Sequence, residues 1–495
     1  MTAVASTELH PTGIAGLDAI LHGGLPAHRL HLLEGDPGSG KTTLALQFLL
    51  EGARRGERGL FVALSESGEE LHATAQGFGW SLDGIDLFEL VPSDESLKAD
   101  ARYTMFHPSE VELSGTIRTL LDEVERTSPT RVVFDSLSEL RLLAQDSLRY
   151  RRQVLALKQF FAKRRCTVLM ADDRTGSGTD MVLSIAHGVI SLERHSPEYG
   201  ALRRRLQVPK MRGRRFVEGF HDFRIGDDGL RVFPRLTPGD GGAHRTKEPI
   251  SSGVASLDRL LGGGLARGTS NLFVGSAGTG KSSLSMQFVS ASAERGERTA
   301  VFLFDESIDT SLVRSAGLGL GIAEAARAGS VSLREVDAAE LSPGEFVAAV
   351  QDAVERDGAR IVVIDSLNGL LHAVPDERLL TLHLHPLLSY LGQRGVTTLL
   401  LLAQQGVVGP HSVPVDATYL ADTVVLLRFF EAAGELRKAL SVFKKRTGPH
   451  ESTIRELRLG PGGLTVGEPL RQFQGVLTGV PRLAVHAEPG AGGPP

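Results

Sequence analysis

Two rhythms of apolar residues alternate along this chain. Leu30-His31-Leu32-Leu33 and Asn271-Leu272-Phe273-Val274 are short apolar runs that read as buried strands. Each leads through a glycine-rich stretch into a helical rhythm, marked by Leu44, Phe48 and Leu49 and again by Leu284, Phe288 and Val289. Leu60 to Leu64 and Ala300 to Phe304 predict the next strand. Arg131-Val132-Val133-Phe134-Asp135 and Arg360-Ile361-Val362-Val363-Ile364-Asp365 predict strands that end on a carboxylate. Phe223 to Val232 turns at Asp228-Gly229, and Leu457 to Val466 turns at Gly462-Gly463, which reads as strand, turn, strand. Strands alternating with helices predict an α/β fold, a mostly parallel central sheet flanked by helices.

The whole pattern occurs twice. Thr12-Gly13-Ile14-Ala15-Gly16-Leu17-Asp18 returns 240 positions later as Ser252-Gly253-Val254-Ala255-Ser256-Leu257-Asp258, and Lys41 returns as Lys281 at the same spacing. Asp135-Ser136-Leu137 returns as Asp365-Ser366-Leu367 after 230 positions, the drift being a change of loop length. Two copies of one domain are expected, over 8–236 and 248–474, joined by a Gly-, Pro- and charge-rich linker at 237–249. The tail, 475–495, ends in Gly and Pro without an apolar face, and disorder is expected from Glu488 on.

The glycine-rich stretches carry the first chemistry. Gly35-Asp36-Pro37-Gly38-Ser39-Gly40-Lys41-Thr42-Thr43 and Gly275-Ser276-Ala277-Gly278-Thr279-Gly280-Lys281-Ser282-Ser283 both satisfy G-x-x-x-x-G-K-[ST] between a strand and a helix. In such a P-loop, backbone N–H groups wrap a polyphosphate, Lys reaches the β and γ phosphates, and the hydroxyl of Thr42 or Ser282 holds Mg²⁺. The helix N-terminus adds partial positive charge. ATP and Mg²⁺ are the cofactors expected. Asp135 and Asp365, at strand ends, are placed to hold the Mg²⁺ shell; the plain alternative is a cap for the next helix. A second acidic position follows the next strand, Ser65-Glu66 in one copy and Asp305-Glu306 in the other. A carboxylate there could orient or deprotonate an attacking water, or simply cap a helix, since Ser65 precedes Glu69-Glu70.

Basic segments close each copy. Arg203 to Arg215 holds seven cations and no acid, Lys210 and Arg212 among them; the other copy has Lys444, Lys445 and Arg446. Three readings fit: a nucleic-acid stripe, an edge strand guarded against aggregation, or cations delivered to a neighbouring subunit's γ-phosphate. The near-equal spacing in both copies favours the last for Lys210/Arg212 and Lys444/Arg446. A net charge of −5 argues against a dedicated nucleic-acid binder. A single cysteine, Cys166, excludes a disulfide framework and reads as a small buried hydrophobe. The polar N-terminus and the short apolar runs predict neither signal peptide nor membrane span, so a cytoplasmic protein is expected.

With these motifs, the chain resembles KaiC and KaiC-like proteins among the RecA-type P-loop ATPases. The resemblance rests on Thr12-Gly13-Ile14, Leu17-Asp18 and Gly23-Gly24-Leu25-Pro26 with their second copies, on both P-loops, on both Asp-Ser strand ends and on Lys210-Met211-Arg212-Gly213. It covers residues 8 to 480 and implies two tandem RecA-like domains. It also implies a homohexamer with ATP between neighbours, the Lys and Arg of one subunit facing the P-loop of the next. A slow ATPase in the first ring, serine/threonine autokinase activity in the second, and regulatory partners, KaiB-like ones included, follow from the same resemblance. The family's paired Glu becomes Ser65-Glu66 and Asp305-Glu306. Its phosphoacceptor pair falls on Thr418-Tyr419, which leaves Thr418 as the candidate acceptor. A timing or signalling switch is the leading expectation. A nucleotide-gated interaction ring with little turnover is the second, and a RecA- or RadA-like DNA-repair ATPase the third.

Overall fold

The computed structural model describes residues 8–89, 108–144, 146–174, 179–196, 200–237, 248–373, 377–404, 417–478 and 482–483. Most of the expected linker and of the tail lies outside them. Internal contacts divide the chain into Met1–Arg235 and Leu236–Pro495.

Each unit is built on a nine-stranded sheet. In the first the order is Ile85–Glu89, Gly59–Ala63, Arg131–Asp135, Thr167–Asp173, Leu30–Gly35, Gly188–His195, Arg203–Met211, His221–Gly226, Gly229–Phe233. The second repeats it with Val331–Glu335, Thr299–Leu303, Ile361–Asp365, Thr397–Ala403, Ser270–Gly275, Thr423–Ala432, Glu435–Lys445, Arg455–Gly460, Gly463–Pro469. The first six strands of each order are parallel, and the last three join antiparallel. This is the expected architecture. The P-loop strand is central and buried along its whole length because helices cover both faces.

Apolar clusters fill both sides of each sheet. In the first unit one gathers around Leu44, Phe48, Leu49 and Phe61, and the other around Phe134, Val154, Leu157 and Phe161. Each such side chain contributes roughly 1.5–3 kcal/mol on burial. Cys166 is buried as expected, and burial pushes its thiol pKa up to about 11.

Two repeated sequence features prove architectural. The Asp18 carboxylate accepts from the backbone N–H and hydroxyl of Thr12 at 2.7 and 2.9 Å, and Asp258 does the same for Ser252 at 2.8 and 2.7 Å. These bonds lock the turn that enters each domain. Glu57 and Glu297, in the repeated Arg-Gly-Glu-Arg, hold Arg131 and Arg267.

Two expectations are corrected. Arg203–Met211 is not an edge strand: Gly188–His195 flanks it on one side and His221–Gly226 on the other. Glu435–Lys445 is likewise internal. The helix after the second acidic position is capped by neither Ser65 nor Glu66. Ser67 caps Gly68–Gly77 in a capping box with Glu70, and Ser307 caps Ile308–Gly317.

Candidate nucleotide sites

Both P-loops have the geometry their sequence predicts. Gly40 and Gly280 take φ of 105° and 103°, where a side chain is strained, and the helices Lys41–Arg54 and Lys281–Glu294 start immediately after. A Cβ on Gly40 would also stand 2.6 Å from Ile225 Cδ1. The lysines fold back over their loops. Lys41 Nζ donates to the carbonyls of Gly35 and Asp36 at 2.9 and 3.1 Å; Lys281 Nζ donates to those of Gly275 and Ser276 at 2.9 and 3.0 Å. The Ser39 hydroxyl is buried without a partner among the described residues.

The strand-end aspartates meet the loop hydroxyls. Thr42 Oγ1 donates to Asp135 Oδ2 at 2.7 Å, and Ser282 lies close enough to Asp365 to hold its pKa down. Burial raises the Asp135 pKa, opposed by the Thr42 hydrogen bond and the Lys41 charge. Burial likewise pushes Asp365 up to about 6, with the nearby Ser282 hydroxyl pulling it down. Asp365 Oδ2 has no partner among the described residues. A buried carboxylate beside a half-buried P-loop hydroxyl, with an orphaned oxygen on Asp365, is the donor set that a Mg²⁺ ion bound with ATP requires, so these residues fit that pair. The peptide after each aspartate, Asp135-Ser136 and Asp365-Ser366, is cis.

The second acidic positions differ between domains. Glu66 is exposed as a whole, yet partial loss of water around its carboxyl raises its pKa, with Asp135 and Glu70 adding to the effect and Lys41 opposing it. In the second domain Arg314 grips Glu306 with both terminal nitrogens, and Asp305 accepts from Ser366 Oγ. Thr74 occupies the place of Arg314 in the first domain.

Three participants were not singled out in the sequence. Asp173 ends the strand beside the first P-loop and pairs with Lys41 Nζ at 2.7 Å. Its neighbour Asp172, fully buried, pairs with Arg141, and Ser138 donates to both carboxylates. The run Thr167 to Ala171 ending in two acids carried the same signal as Asp135. Ala403 stands at the register of Asp173 in the second domain. Arg194 lies beside the first loop, 3.0 Å from where a Cβ on Gly38 would sit; in the second domain Phe429 stands 3.5 Å from that place on Gly278. Arg314 had no local signal, being eight residues from Glu306.

The cations sit elsewhere. Lys210 is in register with Val189, whereas Gly35, where the P-loop begins, is in register with Leu192. In the second domain Lys444 pairs with Val424 and Gly275 with Leu427. Three residues along a strand and two strands across are each about 10 Å. Neither lysine therefore reaches its own P-loop. Each instead donates to nearby carbonyls: Lys210 to Leu183, Arg212 to Ser184 at 2.7 Å, Lys444 to Thr418 and Ala421 at 2.9 and 3.0 Å, Arg446 to Tyr419 at 3.1 Å. Thr418 is thus at the sheet end remote from its own P-loop. Within the long basic segment, Arg205 pairs with Glu193 and stacks on Phe220, and Arg214 donates to the His22 carbonyl, so much of its charge is engaged inside the domain.

Among the described residues no helix is long and apolar enough to cross a membrane. The family model for the KaiC ATPase matches residues 10–237 and 250–471. The chain is 28% identical over 502 residues to the circadian clock oscillator protein KaiC of Picosynechococcus sp., covering 98% of this chain and 94% of that protein. It is 28% identical over 502 residues to the protein of the same name from Thermostichus vulcanus, covering 97% and 93%.

Proposed function

The chain belongs to the KaiC family of P-loop ATPases, and from that premise we propose that it works as a cytoplasmic homohexamer whose ATP sites are completed between neighbouring copies. The observation that carries this reading is the position of Lys210/Arg212 and Lys444/Arg446, at the sheet end their own P-loops do not approach. A neighbour's P-loop is the natural recipient of these cations, and nucleotide bound across the interface would stabilise the ring by mass action. Light scattering after size exclusion should give a hexamer with Mg-ATP and smaller species without it. A monomer in both conditions would overturn the proposal.

Within each site, Lys41 and Lys281 would bind the phosphates, while Thr42 with Asp135 and Ser282 with Asp365 would hold Mg²⁺. The ion would neutralise charge on the phosphate oxygens. Glu66 and Glu306, the latter beside Asp305, would orient the water for slow hydrolysis.

Thr418 lies next to Lys444 and Arg446, so it would face the same neighbouring ATP. The second ring would then be an autokinase: the Thr418 hydroxyl oxygen bonds the γ-phosphorus, the β–γ P–O bond breaks, ADP leaves and the proton passes to a nearby carboxylate. Intact-mass analysis after incubation with Mg-ATP tests this. A phosphate on Thr418, lost in Lys281→Ala, supports a timing or signalling switch with regulatory partners, KaiB-like ones included. ADP without phosphoprotein would leave an ATPase switch. The second reading, a ring that binds nucleotide with little turnover, is favoured by Ser65 at the first acidic position, and turnover abolished by Lys41→Ala would count against it.

A further inference from the structure

A cavity of ≈ 630 Å³ in the second unit is lined by four arginines, Arg267, Arg298, Arg360 and Arg394, with Glu297 and glycines 296, 358 and 395. Each arginine comes from a different incoming turn. Arg267 precedes the strand Ser270–Gly275, Arg298 precedes Thr299–Leu303, Arg360 precedes Ile361–Asp365, and Arg394 precedes Thr397–Ala403. These four strands are parallel neighbours, so the cavity lies under their N-terminal ends. The P-loop leaves from the opposite end.

The charge is only partly answered. Arg267 pairs with Glu297, Arg394 pairs with Glu355 at 2.9 Å, and Arg298 donates to the Asp357 carbonyl at 2.8 Å. Arg360 is exposed and its guanidinium has no hydrogen bond or ion pair among the described residues. The carboxylate of Asp357 is engaged by Arg334.

Arginines at such turns can serve the negative ends of helices, and three helices do end nearby, Lys281–Glu294, Pro343–Glu355 and Glu377–Gln393. The first domain tests that explanation. It has the same three helix ends, at Lys41–Arg54, Pro108–Thr127 and Ser147–Lys163, and keeps Arg58 and Arg164. At the places of Arg267 and Arg360 it has Ala27 and Thr130. Arg131 takes the matching Glu57 there and so answers for Arg267, but nothing answers for Arg360; the shared fold does not need that cation, so the second domain has it for something else.

We infer that this cavity is a second anion site, separate from the P-loops, that takes a small molecule carrying a chain of phosphates. Guanidinium forks bind phosphate oxygens in pairs, and converging forks from four turns suit a polyphosphate. The volume matches a ligand of nucleotide size. A compact cluster of four turns, rather than an extended stripe, suits a small molecule over a nucleic-acid strand.

The test is calorimetric titration of inorganic tripolyphosphate into the full chain, with both P-loops saturated by a non-hydrolysable Mg-ATP analogue and Mg²⁺ in excess. The expected result is one further site per chain. Its affinity should fall about tenfold in Arg360→Ala and further in Arg360→Ala/Arg267→Ala, with partial recovery in Arg360→Lys and steep weakening by salt. Arg360 is exposed, so its variant should keep the parent Tm. Comparing the Arg360-dependent part of tripolyphosphate and ATP binding separates the two sources. Equal parts mean that the phosphate chain alone is read, and a larger part for ATP means that the nucleoside is read too. No heat beyond the P-loops, affinity unmoved in the double variant, or binding of an oligonucleotide in place of tripolyphosphate would each overturn the inference.

Discussion

In the first domain Lys41 is held by the Asp173 carboxylate at 2.7 Å, while Glu66 has Thr74 where the second domain has an arginine. In the second domain Lys281 leans on the carbonyls of Gly275 and Ser276, and Glu306 is held by Arg314. The two loops share a backbone, down to a left-handed glycine before the helix, and differ in which partner of the chemistry is engaged before ATP arrives. On the proposed reading, phosphate would displace a carboxylate from Lys41 in one domain, and Glu306 would leave an arginine in the other. One fold thus supports two electrostatic starting points, set by side chains at matching register.

The largest effect tests what the domains have in common. Lys41→Ala and Lys281→Ala should each lower bound nucleotide from two per chain to one. The lost charged hydrogen bonds correspond to roughly 10- to 150-fold in affinity at the altered site. Equilibrium binding would read this, and unchanged stoichiometry would mean that the two loops are not separate sites.

The next test breaks the difference. In a Lys281→Ala background, Asp173→Asn should raise the ATP affinity of the first domain about tenfold, since no carboxylate then competes for Lys41. In a Lys41→Ala background, Ala403→Asp should lower the second domain's affinity by a similar factor. If Asp173→Asn leaves affinity alone, the ion pair yields to phosphate at no cost.

A smaller effect concerns turnover. Arg314→Ala should speed hydrolysis in the second domain up to about fivefold by releasing Glu306, and Thr74→Arg should slow it in the first, the range expected for a partly exposed ion pair. Steady-state ADP release from single-site variants would measure it. A fall in rate in Arg314→Ala would instead make the arginine a positioning group for Glu306.

The smallest is a pH effect. Asp172 is pushed up to about 6 from an ordinary 3.8, chiefly by burial, with Arg141 and Ser138 pulling it down and Asp173 pushing it further up. Its folded pKa lies above the unfolded one. Its contribution to stability is therefore complete below about pH 4 and is lost as pH rises through about 6. The second domain has Leu402 there, and its dependence over this range rests on Asp365 instead. Between pH 4 and 7, the Tm of Asp172→Asn relative to the parent should move in the variant's favour by a few degrees. Parallel curves would remove Asp172 from the account.

Local pattern in the sequence was enough for the P-loops, the strands that end at Asp135 and Asp365, the hairpins and the twofold repeat. Each depends on residues close together in the chain, where periodicity and glycine placement act directly. Asp173 is legible by the same rule as Asp135, although no motif adjoins its strand. Arg314 was not legible, because its contact with Glu306 depends on how a strand end and the next helix meet. The cap at Ser67 and the internal place of Arg203–Met211 were likewise matters of three-dimensional neighbours.

The amino-acid sequence by itself determined that two phosphate-binding domains of one family exist in this chain, because glycine conformations and apolar periods are local properties. Only the tertiary structure decided that Lys41 faces a carboxylate, that Glu306 faces an arginine, and that Lys210 and Lys444 lie at the far end of their sheets. It also gathered four arginines from four separate turns into one cavity. Sheet register brings together residues more than a hundred positions apart, and charge acts through space rather than along the chain.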